Sequence, residues 1–78
     1  MSIKPLYLTR HAVQRALRYD LTPEAVEKIV REGKRRAEGK TKVRYTLRSR
    51  RSTLVAICEE YSDQIIVVTI TVGGREEK

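Results

Sequence analysis

The chain is short and strongly basic, and these two properties exclude several classes of protein. It has 78 residues, a formal net charge of +7, one cysteine and one histidine. A single cysteine cannot form an intramolecular disulfide, and one cysteine with one histidine is too few for a zinc site. No apolar run is long enough to span a membrane, and no secretory signal is recognisable. We therefore expect one cytoplasmic domain over residues 1–78, without metal or cofactor.

The composition favours a polyanionic partner. Eleven arginines and six lysines stand against ten acids, and the planar guanidinium of arginine matches phosphate better than the ammonium of lysine does. Nucleic acid is therefore the expected partner. A high charged fraction of 35% and the absence of asparagine are also typical of thermophilic proteins, in which part of the charge serves surface ion pairs.

Two helices are predicted at the start of the chain. Residues 9–19 form the first helix, with Thr9 as its N-cap. The second begins after Thr22, has Pro23 at its first helical position and ends at Gly33. Both helices are amphipathic, so each is expected to pack one face on a sheet.

The first helix carries two different sets of side chains. The apolar set is expected to face the core and consists of Val13, Ala16 and Leu17. The opposite set lies within about 60° on the helix and consists of His11, Arg15 and Arg18. A cationic ridge that begins with an imidazole is typical of a phosphate contact.

The periodicity changes from 3.6 to 2 after Gly33, which predicts strands. Three are expected, around residues 43–47, 53–60 and 64–72. The last is apolar on both faces at its start, so a neighbour should cover its free side. The segment Ile3–Leu8 or a second copy of the chain would supply that neighbour. The expected fold is α+β, with two N-terminal helices on one face of an antiparallel sheet of three to four strands.

Residues 34–51 contain nine cations and one acid, so the positive charge is concentrated in one part of the chain. Such a field steers polyanions. The predicted nucleic-acid contacts, which include one residue of the helical ridge, are Arg18, Lys42, Arg44, Arg48, Arg50 and Arg51. The alternative is that residues 34–40 are a solvated connector and that the two adjacent arginines belong to a soluble hairpin turn.

A catalytic role is a second hypothesis. RNA cleavage by the 2′-hydroxyl needs a base, an acid and cations that stabilise the phosphorane. His11 lies near the positive end of a helix dipole, which favours the neutral imidazole as proton acceptor. Arg15, Arg18, Arg44 and Arg48 would stabilise the developing charge, and Tyr61 or Glu59 would assist proton transfer. The residues assigned to catalysis are His11, Arg15, Arg48 and Tyr61. Binding without turnover is the alternative, with His11 as an ordinary surface residue.

The helix opening Thr9-Arg10-His11-Ala12-Val13-Gln14-Arg15 resembles a family of small prokaryotic domains that begin with Thr-x-His-Ala-x-x-Arg. That family is similar to the RelE, ParE and BrnT toxins. The resemblance implies an α+β fold, metal-independent endoribonuclease activity on mRNA, with the ribosome as a partner or without it, and neutralisation by an antitoxin. An acidic antitoxin or a sister subunit is thus an alternative occupant of the basic face. Only His11, Ala12 and Arg15 match the motif position by position.

Overall fold

The computed structural model describes residues 4–50 and 52–73. Its elements in chain order are β1 (Leu6–Leu8), α1 (Arg10–Arg18), α2 (Pro23–Glu32), β2 (Lys34–Ala37), β3 (Lys42–Arg48), β4 (Thr53–Glu60) and β5 (Ile65–Gly73). The strands form one mixed sheet in the order β1-β5-β4-β3-β2. Only the β1–β5 pair is parallel among these strands.

The predicted antiparallel sheet of three to four strands is wrong in strand number and in pairing. The extra strand, β2, lies where a connector was considered, and all four of its residues are exposed. A charged edge strand lacks the apolar alternation by which strands are recognised. The part of Ile3–Leu8 that the structure describes does pair with β5, but in parallel. Side-chain alternation is the same in both orientations, so the sequence pattern did not reveal the direction.

Thr9 fixes the start of α1 against β5. Its hydroxyl oxygen accepts a hydrogen bond from the amide of Ala12 at 3.1 Å, which caps the helix as predicted. The same hydroxyl donates to the carbonyl of Val68 at 2.9 Å, and the Thr9 amide donates to that of Val67 at 3.0 Å. These carbonyls belong to a β-bulge of β5 opposite Ile57 and Cys58. One side chain therefore joins the helix start to the irregular part of the sheet.

The buried side of α1 differs from the predicted apolar stripe. Ala12 and Ala16 face the core, whereas Val13 is 42% exposed and Leu17 is 70% exposed. Only Ala16 of the predicted stripe is buried. A face of two alanines lets the helix backbone lie close to the sheet, because methyl side chains fill little space between them. This rotation leaves two large apolar side chains in solvent.

The turn between the helices is a Schellman motif. The amide of Leu21 donates to the carbonyl of Ala16 at 2.8 Å, and that of Asp20 donates to Leu17 at 3.1 Å. Asp20 adopts a left-handed conformation with a φ of 58°. The second helix then begins at Thr22, whose hydroxyl oxygen accepts from the amide of Ala25, and ends at Gly33. The predicted caps of α2 are thus confirmed.

Both helices cover the same face of the sheet, and the core lies between the helices and that face. Its buried side chains are Ala12, Ala16, Val26, Ile29, Val43, Tyr45, Ala56, Cys58, Ile65, Val67 and Ile70. Burial raises the pKa of the Cys58 thiol to about 12, so the thiol stays protonated and belongs to the core. Among the described helices, none is long and apolar enough to cross a membrane.

Candidate nucleic-acid interface

The opposite face of the sheet carries the concentrated positive charge; we call it the open face, because no described helix packs on it. Side chains alternate between faces along a strand. Val43 and Tyr45 of β3 point into the core, so Lys42, Arg44 and Arg48 point to the open face, where all three are exposed. The alternation predicted for this strand is confirmed.

The strand pairing adds two cations of β2 to this face. Lys34 pairs with Thr46, and Arg36 pairs with Arg44. Directly opposite residues on one face have Cβ atoms about 4.5–5.5 Å apart. Two guanidinium side chains therefore start from neighbouring positions, in an arrangement that costs stability unless an anion lies between or above them.

These residues line a groove at the β2–β3 edge with a volume of about 610 Å³. We call it the basic groove, and its lining residues are Glu32, Lys34, Arg36, Arg44, Thr46, Leu47 and Arg48. Four cations and one carboxylate thus surround a space that is open to solvent. Lys34 and Arg36 were not among the predicted contact residues, because their place beside β3 depends on the unpredicted strand β2.

Ion pairs reduce the charge of only one of the four groove cations within residues 4–50 and 52–73. The Nε of Arg44 lies 3.2 Å from the Oε2 of Glu38, the single acid of the basic stretch. Arginine has five N–H donors, so the remaining donors of Arg44 stay available for an anion. Lys34, Arg36 and Arg48 form no ion pair in this part of the chain. Three of the four groove cations therefore have no ion-pair partner among the described residues.

The other predicted contact residues lie at its margins or away from it. Lys42 is on the open face but pairs across the strands with Glu59. Arg50 is exposed in the β3–β4 turn, which is closed by a hydrogen bond from the Ser49 amide to the Ser52 carbonyl at 2.8 Å. Arg51 lies outside the described residues. Arg18 is on α1, across the sheet from the groove.

The helical ridge of His11, Arg15 and Arg18 does form, but the sheet separates it from the basic groove. Its residues are on α1, which packs on β5 and β1 at the opposite face. His11 and Arg18 are exposed, and Arg15 is half-buried. The guanidinium of Arg15 lies over the ring of Tyr19 at 5.9 Å, and its buried Nε has no hydrogen-bond partner in the described structure. The ridge is a second, smaller cationic surface.

Tyr61 is also separate from the groove. It lies at the β4–β5 turn, where its hydroxyl donates to Oε1 of Glu59 at 2.9 Å. That hydrogen bond raises the pKa of Tyr61, so its proton is held more firmly than in a free tyrosine. Thr41 donates to the same carboxylate oxygen at 3.0 Å. The four predicted catalytic residues, His11, Arg15, Arg48 and Tyr61, are thus distributed over both faces of the sheet.

Glu60 has a structural role on the helical face of the sheet. Its carboxylate accepts hydrogen bonds from Arg35 at 2.7 Å and from Lys4 at 3.2 Å. The hydrogen bond from Arg35 is the main reason why the pKa of Glu60 lies below its usual value. The same hydrogen bond raises the pKa of Arg35. Arg35 therefore links the edge strand β2 to β4, although its neighbours Lys34 and Arg36 point to the groove.

The described residues contain no cluster of histidine, cysteine and carboxylate side chains that would hold a metal ion. No protein family model, curated protein or solved structure matches this chain.

Proposed function

We propose that this domain binds RNA through the basic groove. The observation that carries the proposal is the direct pairing of Arg36 with Arg44 in a groove that Lys34 and Arg48 also line. Four cations face one space, and the surrounding acids neutralise only part of their charge. Phosphate groups would replace the repulsion between neighbouring guanidinium groups with charge-assisted hydrogen bonds.

The dimensions of the site favour one strand of nucleic acid. The cations lie on two neighbouring strands, which are about 4.8 Å apart. They therefore form one narrow row, along which a single sugar-phosphate backbone would lie. Net positive charge focused on one face would raise the rate of association with it.

Two groove residues favour RNA over DNA. Thr46 of β3 and Glu32 at the end of α2 line the same space as the cations, at the edge of the sheet. Both side chains accept hydrogen bonds, and the ribose 2′-hydroxyl is the donor that DNA lacks. A carboxylate in a groove for polyanions would otherwise only weaken binding. The proposed setting is the cytoplasm.

The direct test measures binding of a short unstructured RNA and of the DNA with the same sequence. The double variant Lys34→Gln with Arg36→Gln removes two groove cations. Its control, Lys28→Gln with Arg31→Gln, removes the same charge from the exposed side of α2. We expect the groove variant to lose most RNA affinity and the control to lose little. Equal losses would show that net charge, rather than the groove, accounts for binding.

Endonuclease activity of the toxin type is a second candidate, carried by the helix motif His11-Ala12-x-x-Arg15. The geometry favours binding without turnover, because His11 and Tyr61 lie outside the groove. Incubation with total RNA, with and without ribosomes, followed by mapping of the cleaved ends, tests this candidate. Cleavage by the wild type that His11→Ala abolishes would support the catalytic alternative, and co-purification with a short acidic protein would support an antitoxin partner.

A further inference from the structure

The open face continues beyond the basic groove into a strip of uncharged side chains. In the strand register, Arg44 lies opposite Ile57, which lies opposite Thr69. Thr46 lies opposite Val55 in the same way, and Val55 lies opposite Thr71. The side chains that we call the aliphatic strip are Val55, Ile57, Thr69 and Thr71. The face thus changes from cationic on β2 and β3 to apolar on β4 and to hydroxyl-bearing on β5.

No described element covers this strip. All described contacts of α1 and α2 with the sheet are made from the core side. Val55 and Ile57 are half-buried by their neighbours within the sheet, and the rest of each side chain faces solvent. Aliphatic side chains at the centre of an uncovered sheet face are a surface that a flat apolar group would cover.

We propose that the aliphatic strip binds the unpaired bases of the RNA strand whose phosphates occupy the basic groove. This inference rests on the proposed RNA binding and adds that the bases, and not only the phosphates, contact the protein. Neighbouring β-strands are about 4.8 Å apart. The strip therefore lies about 5 Å from β3 at β4 and about 10 Å from β3 at β5. A nucleotide that places its phosphate over Arg44 reaches this distance with its base.

The chemistry of the strip distinguishes a single strand from a duplex. Unpaired bases expose their faces, which bury apolar area against aliphatic side chains, and their edges, which form hydrogen bonds with threonine hydroxyls. A duplex keeps its base faces stacked inside and offers mainly its backbone. It would use the cations of the groove and leave Ile57 in solvent. The strip therefore gives a preference for single-stranded over duplex RNA, which the cations alone do not give.

A carboxylate next to Ile57 on β4 supports the same orientation of the RNA strand. Glu59 lies on the open face next to Ile57 along β4 and accepts hydrogen bonds from Thr41 and Tyr61. Its carboxylate repels phosphate, so the backbone is confined to the part of the face around Lys34, Arg36, Arg44 and Arg48. The bases are then directed across β4 at Val55 and Ile57.

The test separates electrostatic from non-electrostatic binding by a salt series. The slope of log K against log salt reports phosphate contacts, whereas the affinity extrapolated to 1 M salt reports the remaining contacts. The double variant Val55→Thr with Ile57→Thr keeps β-branched side chains and therefore strand propensity. We expect it to lower the affinity for single-stranded RNA by about tenfold, because threonine buries less apolar area under a base than valine or isoleucine does. The slope and the affinity for duplex RNA should not change.

Leu17→Thr is the matched control, because it removes an exposed aliphatic side chain from the helical face. It should leave RNA affinity unchanged. A second measurement keeps the protein unaltered and replaces the RNA by an abasic strand of the same length. We expect the abasic strand to bind with the same slope and about tenfold weaker at 1 M salt, which tests the strip even where the double variant fails to fold.

Three results would overturn the inference. In the first, neither the double variant nor base removal changes the affinity for single-stranded RNA, although Arg36→Gln reduces it. The groove would then bind the phosphates, but the strip would not bind the bases. Another is a change from dimer to monomer in the double variant without loss of RNA affinity, which would assign the strip to a second copy of the chain. If the wild type binds no RNA at low salt, the proposed function and this inference both fail.

Discussion

Arg36 and Arg44 occupy directly opposite positions of the antiparallel β2–β3 pair and point to the same face of the sheet. Like charges in such a pair are destabilising, by an amount comparable with the contribution of an exposed ion pair, about 0.2–1 kcal/mol. Glu38 offsets one of the two charges through its 3.2 Å contact with Arg44, and Arg36 has no such partner among the described residues. The repulsion between the two guanidinium groups therefore lowers the stability of the free protein, and an anion bound between them would relieve it.

Arg36→Gln should consequently stabilise the free domain while it weakens RNA binding. We expect a gain of up to about 1 kcal/mol in the free energy of unfolding at low salt, the size of an exposed charge interaction, which declines as salt screens the repulsion. Thermal unfolding at two salt concentrations, with and without RNA, measures both effects. Arg31→Gln on α2 is the control for loss of one guanidinium. A destabilised Arg36→Gln protein would show that the repulsion is already relieved within the chain.

Thr9 should be important for stability, since its hydroxyl both caps α1 and donates to Val68. Thr9→Ala should lower the free energy of unfolding by about 0.5–2 kcal/mol, the range for loss of an N-cap. Thr9→Ser retains the hydroxyl and should keep most of the stability. Urea unfolding of the two variants provides the comparison. Equal destabilisation by alanine and serine would assign the effect to the lost methyl group instead.

The sequence predicted the local elements better than their arrangement. Helix caps depend on a few adjacent residues, so Thr9, Thr22 and Gly33 identified the helix limits correctly. The strand Lys34–Ala37 was missed because an edge strand with one partner needs no apolar alternation. The groove was therefore only half predicted: Arg44 and Arg48 follow from the period of β3, but Lys34 and Arg36 become its neighbours only through long-range pairing.

The same distinction explains the separation of the proposed catalytic residues. The spacing of His11, Arg15 and Arg18 does place them on one side of α1. It does not reveal which side of the sheet α1 covers, because that depends on packing of Ala12 and Ala16 against β5. The rotation of α1 also placed Leu17 in solvent, although its hydrophobicity predicted burial. Tertiary packing thus determines both the side of the sheet that α1 covers and the exposure of Leu17.

Gly33 should tolerate no side chain, for steric reasons alone. A Cβ at this position would overlap the carbonyl oxygen of Ile29 and lie 3.0 Å from that of Thr46. Both obstacles are backbone atoms, so Gly33→Ala must displace the end of α2 from β3, at a cost of about 1–3 kcal/mol. Gly39→Ala is the control, since its Cβ would meet Lys42 at an ordinary 3.5 Å. Equal stabilities of the two variants by thermal unfolding would contradict this packing.

Glu60 should contribute to the acid sensitivity of the fold. Its pKa is lowered by Arg35 and Lys4, so its stabilising contribution is present above the pKa of the unfolded carboxyl, about 4.3. The contribution is lost as the pH falls through the lower pKa of the folded state. In Glu60→Gln, stability should depend less on pH over this acidic range and should be lower than that of the wild type at pH 7.

Glu27→Gln removes a carboxylate from the exposed side of α2 and serves as the control for this experiment. Unfolding by urea at a series of pH values gives the free energies to compare. Parallel pH profiles for the wild type and Glu60→Gln would show that the cluster of Lys4, Arg35 and Glu60 does not couple protonation to folding.

The most direct test of the central claim is the salt dependence of RNA binding by the wild type and the variant Lys34→Gln with Arg36→Gln. Four groove phosphate contacts on a single strand predict a slope of log K against log salt of about −2.8, and removal of two contacts predicts about −1.4. The charge-matched variant Lys28→Gln with Arg31→Gln should retain the wild-type slope. Identical slopes for all three proteins would contradict binding through the basic groove.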